Sequence, residues 1–241
     1  MSIPCASTRV SIAFLPNPHS EPTNTLVLRG KEWYTDFRPV LNTSVESDGF
    51  IEAKNVEFIF AGKKRCLDAD LHKYEWVNII DSRDQQDVAA DIGECKILPN
   101  GDEFEKGTMK INGIPTQYEE IWRDLQFEKD VPVPIIAVEL SDDSASQNGL
   151  SIIVVRVGEQ CQGVLLKKQP EGLKTLAAKR SSLHNNSWKT DIIYGSSEHV
   201  DMIPNCPIDF NSKEWRVGDL VQLEGSTYNW LVREFFSYLK E

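Results

Sequence analysis

Tyr74 to Asp81 reads YEWVNIID, and Ser187 to Gly195 reads SWKTDIIYG. Each places a Trp shortly before an acid or amide and a pair of isoleucines, so the chain is compared with itself. His72 and His184 stand 112 residues apart, as do Trp76 and Trp188. Ile79-Ile80 and Ile192-Ile193 differ by 113, and Ile111-Asn112-Gly113 and Leu223-Glu224-Gly225 again by 112. Tyr118 to Leu125, YEEIWRDL, aligns with Tyr228 to Phe235, YNWLVREF, at an offset of 110. Matches in one order at a nearly constant offset point to duplication of one unit.

The unit is a β module. Thr25 to Arg29, Val56 to Phe60, Ser151 to Arg156 and Gly163 to Leu166 are short β-branched or aromatic runs bounded by turn residues. Asn112-Gly113 is a two-residue hairpin signal, because a type I′ turn needs positive φ at both positions. Glu119 to Leu125 and Tyr228 to Tyr238 follow hairpin signals and read as strands. Glu171 to Arg180 is the best stretch for a short helix. Phe127 to Pro134, with Pro132 and Pro134 among charges, makes a stiff connector between residues 1–128 and 132–241. The expected fold is therefore all-β with little helix. It consists of two tandem, similar antiparallel β-barrel modules, each a lipocalin-like meander that removes its own sheet edges by closing.

Charge narrows the function classes. Acidic residues outnumber basic ones 37 to 26, for a formal net charge of -11. Such a surface repels phosphate backbones and anionic lipid heads, so no nucleic acid partner is expected. No apolar run reaches the ~20 residues of a spanning helix, and no stable membrane insertion is expected. The compact basic runs Lys63-Lys64-Arg65 and Lys179-Arg180 read as solvated loops. Five cysteines (Cys5, Cys66, Cys95, Cys161, Cys206) without C-x-x-C spacing fit reduced thiols in a cytoplasmic or nuclear setting. Cys161, in an alternating stretch, is expected to face the interior.

Motifs for chemistry are missing. The sequence holds no H-E-x-x-H, no G-x-S-x-G and no phosphate-binding glycine loop, so no metal, catalytic or cofactor residue is assigned. Gly195-Ser196-Ser197-Glu198-His199 brings Ser close to His, which reads as turn chemistry. Among six tryptophans, Trp76 and Trp188 read as packing, and the set could line a cavity for a small apolar ligand. Trp33 and Trp215, each following Lys-Glu, are the expected exposed partner contacts.

Several segments together resemble a known family: Asn17-Pro18-His19 before Thr25 to Arg29, Asp36 to Val40, Phe58 to Gly62, Glu119 to Trp122 and Gly158 to Leu165. The whole chain is similar to the small fungal family of casein-kinase-interacting proteins, named for association with a casein kinase I type enzyme. The resemblance implies two similar β-barrel domains, a cytoplasmic and nuclear location, a casein kinase I type partner and no enzymatic activity. It carries no site residues across. With a kinase of that class in view, Ser47, Ser144 and Ser146 become phosphosite candidates. Ser47 follows Ser44 by three residues and Ser146 follows Asp143 by three, and each phosphate would add about two negative charges. The function expected is that of a non-enzymatic protein-interaction protein. The alternative is a carrier holding a small apolar ligand inside one barrel.

Overall fold

The computed structural model describes residues 3–40, 44–45, 51–83, 91–141, 149–169, 172–204 and 214–239. Its strands are β1 (Cys5–Phe14), β2 (Leu26–Arg29), β3 (Trp33–Pro39), β4 (Ser44–Val45), β5 (Ile51–Glu52), β6 (Val56–Asp68), β7 (Lys73–Asp81), β8 (Asp91–Ile97), β9 (Glu103–Ile111) and β10 (Ile114–Asp124). The second half continues with β11 (Val133–Leu140), β12 (Leu150–Val157), β13 (Gln160–Lys168), β14 (Lys174–His184) and β15 (Ser187–Tyr194). After a single described helix, α1 (Ser197–Asp201), come β16 (Leu220–Gln222) and β17 (Asn229–Tyr238).

Eight strands of the first half close into an antiparallel barrel in the order β1-β10-β9-β8-β7-β6-β3-β2. The second half forms a nine-stranded sheet, β16-β17-β11-β12-β13-β14-β15-β5-β4. Its described ends do not meet, so the expected pair of barrels is realised as one closed barrel and one larger sheet. A division between residues 128 and 132 separates the two sheets except for β4 and β5. These leave the first half and extend the second sheet, with β5 running parallel to β15.

Local chemistry explains the elements. Asn112 and Gly113 both adopt positive φ (51° and 77°), as the β9–β10 hairpin requires. The helix expected over Glu171 to Arg180 is instead β14. Ala177 to Ser182 is buried and pairs in register with β13, Gln160 opposite Ser182 and Val164 opposite Ala178. Burial on two faces of a sheet overrides a helical pattern.

The quoted stretches are the strands β7 and β15. In both, the register slips by one residue: Ala61 faces Ile80 while Gly62 faces Asn78, and Arg180 faces Ile192 while Ser181 faces Thr190. The extra residues are Ile79 and Asp191, so Trp76 and Trp188 each stand three positions before a bulge. The buried isoleucines in common register are therefore Ile80 and Ile192, not the pairs matched at offset 113. His72 and His184 are not in common register either. His72 sits in the turn at φ 48°, whereas His184 is the last residue of β14.

The two sheets share an apolar core. Leu26, Leu28, Trp33, Phe37, Ile59 and Ile80 on the outer wall of the barrel pack against Ile135, Ile153, Val155, Val164 and Ile192. The opposite face of the second sheet buries Ile136, Val138, Ile152, Val154, Leu165, Trp230 and Val232. Strands apolar on both faces explain the unbroken run Ile152-Ile153-Val154-Val155.

Polar clamps cross the same interface. The backbone N–H groups of Lys31, Glu32 and Trp33 donate to the Glu234 carboxylate at 2.9, 2.7 and 2.9 Å. Arg180 donates to the Phe37 carbonyl at 2.8 Å and to the Asn24 carbonyl at 3.0 Å. Burial pushes its pKa down to about 10, partly offset by Asp191 and Asp36. Lys179, beside it, donates to the Ile203 carbonyl at 2.7 Å. The pair expected in a solvated loop is thus buried in β14.

Candidate functional site

Strand alternation puts every second side chain of the barrel into its lumen, and many of those side chains are charged. Tyr34, Asp36 and Arg38 on β3, Glu103 and Glu105 on β9, and Tyr118, Glu120 and Trp122 on β10 follow the period of two. All eight barrel strands contribute to a cavity of about 110 Å³. The apolar faces of the same strands point outward, where the second sheet covers them.

At one end the charges satisfy one another. Arg9 donates to Glu21 at 2.7 Å, Glu57 at 2.6 Å and Glu120 at 2.9 Å. Arg38 donates to the same Glu120 oxygen at 2.8 Å and to Asp36 at 2.8 Å. Burial works against the charge on Arg38, but Asp36 and Glu120 outweigh it and hold the guanidinium well above its usual range. Similarly, burial raises Glu21, and the stronger combined pull of Arg9 and Thr23 leaves it below the usual carboxylate range. A cluster so completely paired acts as a plug.

The other end is not closed in this way. Arg29 Nη2 donates to Cys5 Sγ at 3.1 Å, while Nη1 is sealed from solvent without an acceptor. Trp122 is 7% exposed and its Nε1 also lacks an acceptor. Lys64, 7% exposed, holds its ammonium over the Tyr74 and Trp76 rings at 4.1 and 4.6 Å. Facing these donors, Cys95, Glu103 and Glu105 bring potential ligand atoms within 4.8 Å of one another. Burial, with the Glu120 charge behind it, pushes Glu105 up to about 8, and Tyr118 donates to it at 2.8 Å. Burial raises Asp91 to about 6, with Arg83 acting in the opposite direction. Burial and the charges of Glu105 and Glu103 also raise the Cys95 thiol far above its usual range. That set is a poor cation trap, since burial keeps protons on Cys95 and Glu105 and the Lys64 ammonium opposes a second cation.

The residues singled out from sequence lie elsewhere. Trp33, expected to be exposed, is 3% exposed and packs in the shared core, with the guanidinium of Arg233 5.1 Å from its ring centre. The β2–β3 turn that carries it is clamped by Glu234, which is why a Lys-Glu-Trp string does not end at the surface. Trp215 is half-buried against Phe235, their ring centres 5.6 Å apart. Ser47, Ser144 and Ser146 lie outside the described residues. Cys161 is buried as expected, and Cys5, Cys66 and Cys95 are free thiols. Ser196 stands at the N-cap position of α1 without a side-chain capping bond, and its hydroxyl meets His199 Nδ1 at 2.7 Å.

Sequence reasoning missed Arg29, Lys64, Glu103, Glu105 and Trp122. The basic run at Lys63 is no solvated loop but part of β6, with Lys64 turned inward. The signal available was charge recurring at every second position in strands that also carry an apolar face. Among the described residues, no helix is long and apolar enough to cross a membrane.

Residues 5–234 match a family model described as Protein HRI1. The fold is similar to the crystal structure of an uncharacterized protein, YLR301w, from Saccharomyces cerevisiae. The TM-score is 0.73 at 18% identity, covering 98% of this chain and 100% of that one. No curated protein matches the chain.

Proposed function

The chain belongs to the Protein HRI1 family, and from that premise and the lumen's chemistry we propose that it is a non-enzymatic binding protein whose ligand site is the open end of the first barrel. One observation carries the reading. Beside a cavity whose far end is a fully paired ionic cluster, Arg29 Nη1 and Trp122 Nε1 are buried with no acceptor. A buried donor without a partner costs about 1–3 kcal/mol, and folded proteins keep few of them. A bound polar molecule would remove that cost. The lining of Arg29, Lys64, Glu103 and Glu105 favours a polar ligand over the apolar one considered from sequence.

Native mass spectrometry of protein purified from its host tests this. A retained polar small molecule, released on denaturation, is the expected result. An empty lumen, with no thermal shift from any member of a polar small-molecule set, overturns the proposal.

A protein partner of the casein kinase I class is a second reading, supported by the sequence resemblance and by the Ser-acid spacing at Ser47, Ser144 and Ser146. Phosphate incorporation by such a kinase should be lost when all three become Ala. Unchanged incorporation overturns the phosphosite assignment. We also read the two halves as copies of one ancestral unit. The common bulge register of β7 and β15 supports this.

A further inference from the structure

The open end of the lumen holds donors and acceptors together. Across the barrel from β9 stand the unpartnered Arg29 Nη1 on β2 and the Lys64 ammonium on β6, which forms no ion pair among the described residues. The unpartnered Trp122 Nε1 lies on β10, next to β9. The acceptors are on β9. Glu103 likewise forms no ion pair among the described residues, although its charge favours the Arg29 guanidinium, and Glu105 receives only the Tyr118 hydroxyl at 2.8 Å. Both sets share about 110 Å³ without a direct ion pair between them.

A simple anion would satisfy the donors and face two acids. A metal ion would satisfy the acids and face two cations. Only a molecule that carries both charges answers both sides. Size sets the other limit. A cavity of about 150 Å³ admits benzene with its six heavy atoms, so this one of about 110 Å³ accommodates about four or five.

Resting on the reading that the lumen binds a polar ligand, we propose that its occupant is a small zwitterion of the amino-acid class. Its carboxylate is held by Arg29, Lys64 and the Trp122 indole N–H, and its ammonium by Glu103 and Glu105. Recognition of a carboxylate by a guanidinium and of an ammonium by paired acids uses charge-assisted hydrogen bonds at both ends.

The site also implies a proton. Glu105 is faced by Asp91 and Cys95 from β8, by Glu120 and Tyr118 from β10 and by Lys64 from β6. Burial, with the charges of Glu120 and Asp91, outweighs Lys64 and Tyr118 and keeps it protonated near pH 7 in the empty barrel. An incoming ammonium favours the carboxylate, so binding should release a proton.

Isothermal titration of the full chain with glycine, acetate and methylamine, in two buffers of different ionisation enthalpy at pH 7, tests the proposal. Glycine is expected to bind with proton release, and at least about tenfold more tightly than either single-charge analogue. Arg29→Gln and Glu103→Gln should each weaken it about tenfold. If Arg29→Gln does not fold, Trp122→Phe removes the indole N–H and should still weaken binding several-fold. Equal affinity for acetate, or binding indifferent to these substitutions, overturns the zwitterion. Retention of a different polar molecule by the native protein, with no glycine binding, overturns this inference alone. A lumen that binds nothing overturns both readings.

Discussion

β10 and β17 begin from similar strings, YEEIWRDL and YNWLVREF, and bury opposite chemistry. On β10 the alternate positions Tyr118, Glu120 and Trp122 enter a charged lumen, where Glu120 holds two guanidiniums. On β17 the alternate positions Trp230 and Val232 enter an apolar core, and Glu234 reaches across to the first half. The two halves use the same strand period but place different surroundings across it. Period determines which side chains share a face. It does not determine whether that face meets water, hydrocarbon or other charges.

The sharpest break of this contrast is Glu120→Ala. It strands Arg9 and Arg38 without their common acceptor and should cost about 3–5 kcal/mol, read as a lowered denaturant midpoint. Trp230→Ala should cost a similar amount in the apolar half by leaving a cavity. A loss under 1 kcal/mol for Glu120→Ala would mean that the lumen cluster is solvated and the contrast false.

Acidity should separate the halves next. Glu105 is held up to about 8 against an ordinary 4.5, so the native state keeps a proton that the unfolded chain has released. Its stabilising contribution is present below about pH 4.5 and is lost as pH rises towards 8. The slope approaches 1.4 kcal/mol per pH unit. Urea melts across that window should show the decline, and Glu105→Gln should flatten it.

A smaller effect belongs to the interface. Glu234→Ala frees three N–H groups on the β2–β3 turn, that of Trp33 buried, and should cost about 1–3 kcal/mol, with amide exchange accelerated at Lys31, Glu32 and Trp33. Unaltered exchange there would show that the clamp is not needed to join the halves. Least of all, Asn186→Gly should raise stability by up to about 1 kcal/mol, since Asn185 and Asn186 both carry positive φ (50° and 60°) in the β14–β15 turn. Thermal melting checks it, and a decrease would implicate the Asn186 side chain.

Much of the fold was legible in the chain. Asn112-Gly113 marked a hairpin because few residues tolerate positive φ, and the strands over Glu119 to Leu125 and Tyr228 to Tyr238 followed from the turns before them. The candidate site was not legible, because the usual expectation sends the charged face of an alternating strand to water. Lys64 and Arg180 stand in short basic runs that read as solvated loops. Trp33 reads as exposed because it follows Lys-Glu, and nothing near it in sequence announces Glu234, about two hundred residues away, closing over its turn.

The sequence by itself determined the strands, their turns and the alternation of their side chains, since backbone sterics and period act over a few residues. Tertiary structure alone decided which face of the first barrel turned inward. Covering its apolar wall with the second sheet removes hydrocarbon from water, and the charged faces are then left to pair with one another around a lumen. That outcome depends on contacts between distant strands, such as Leu28 and Phe37 against the second sheet, which no local pattern encodes.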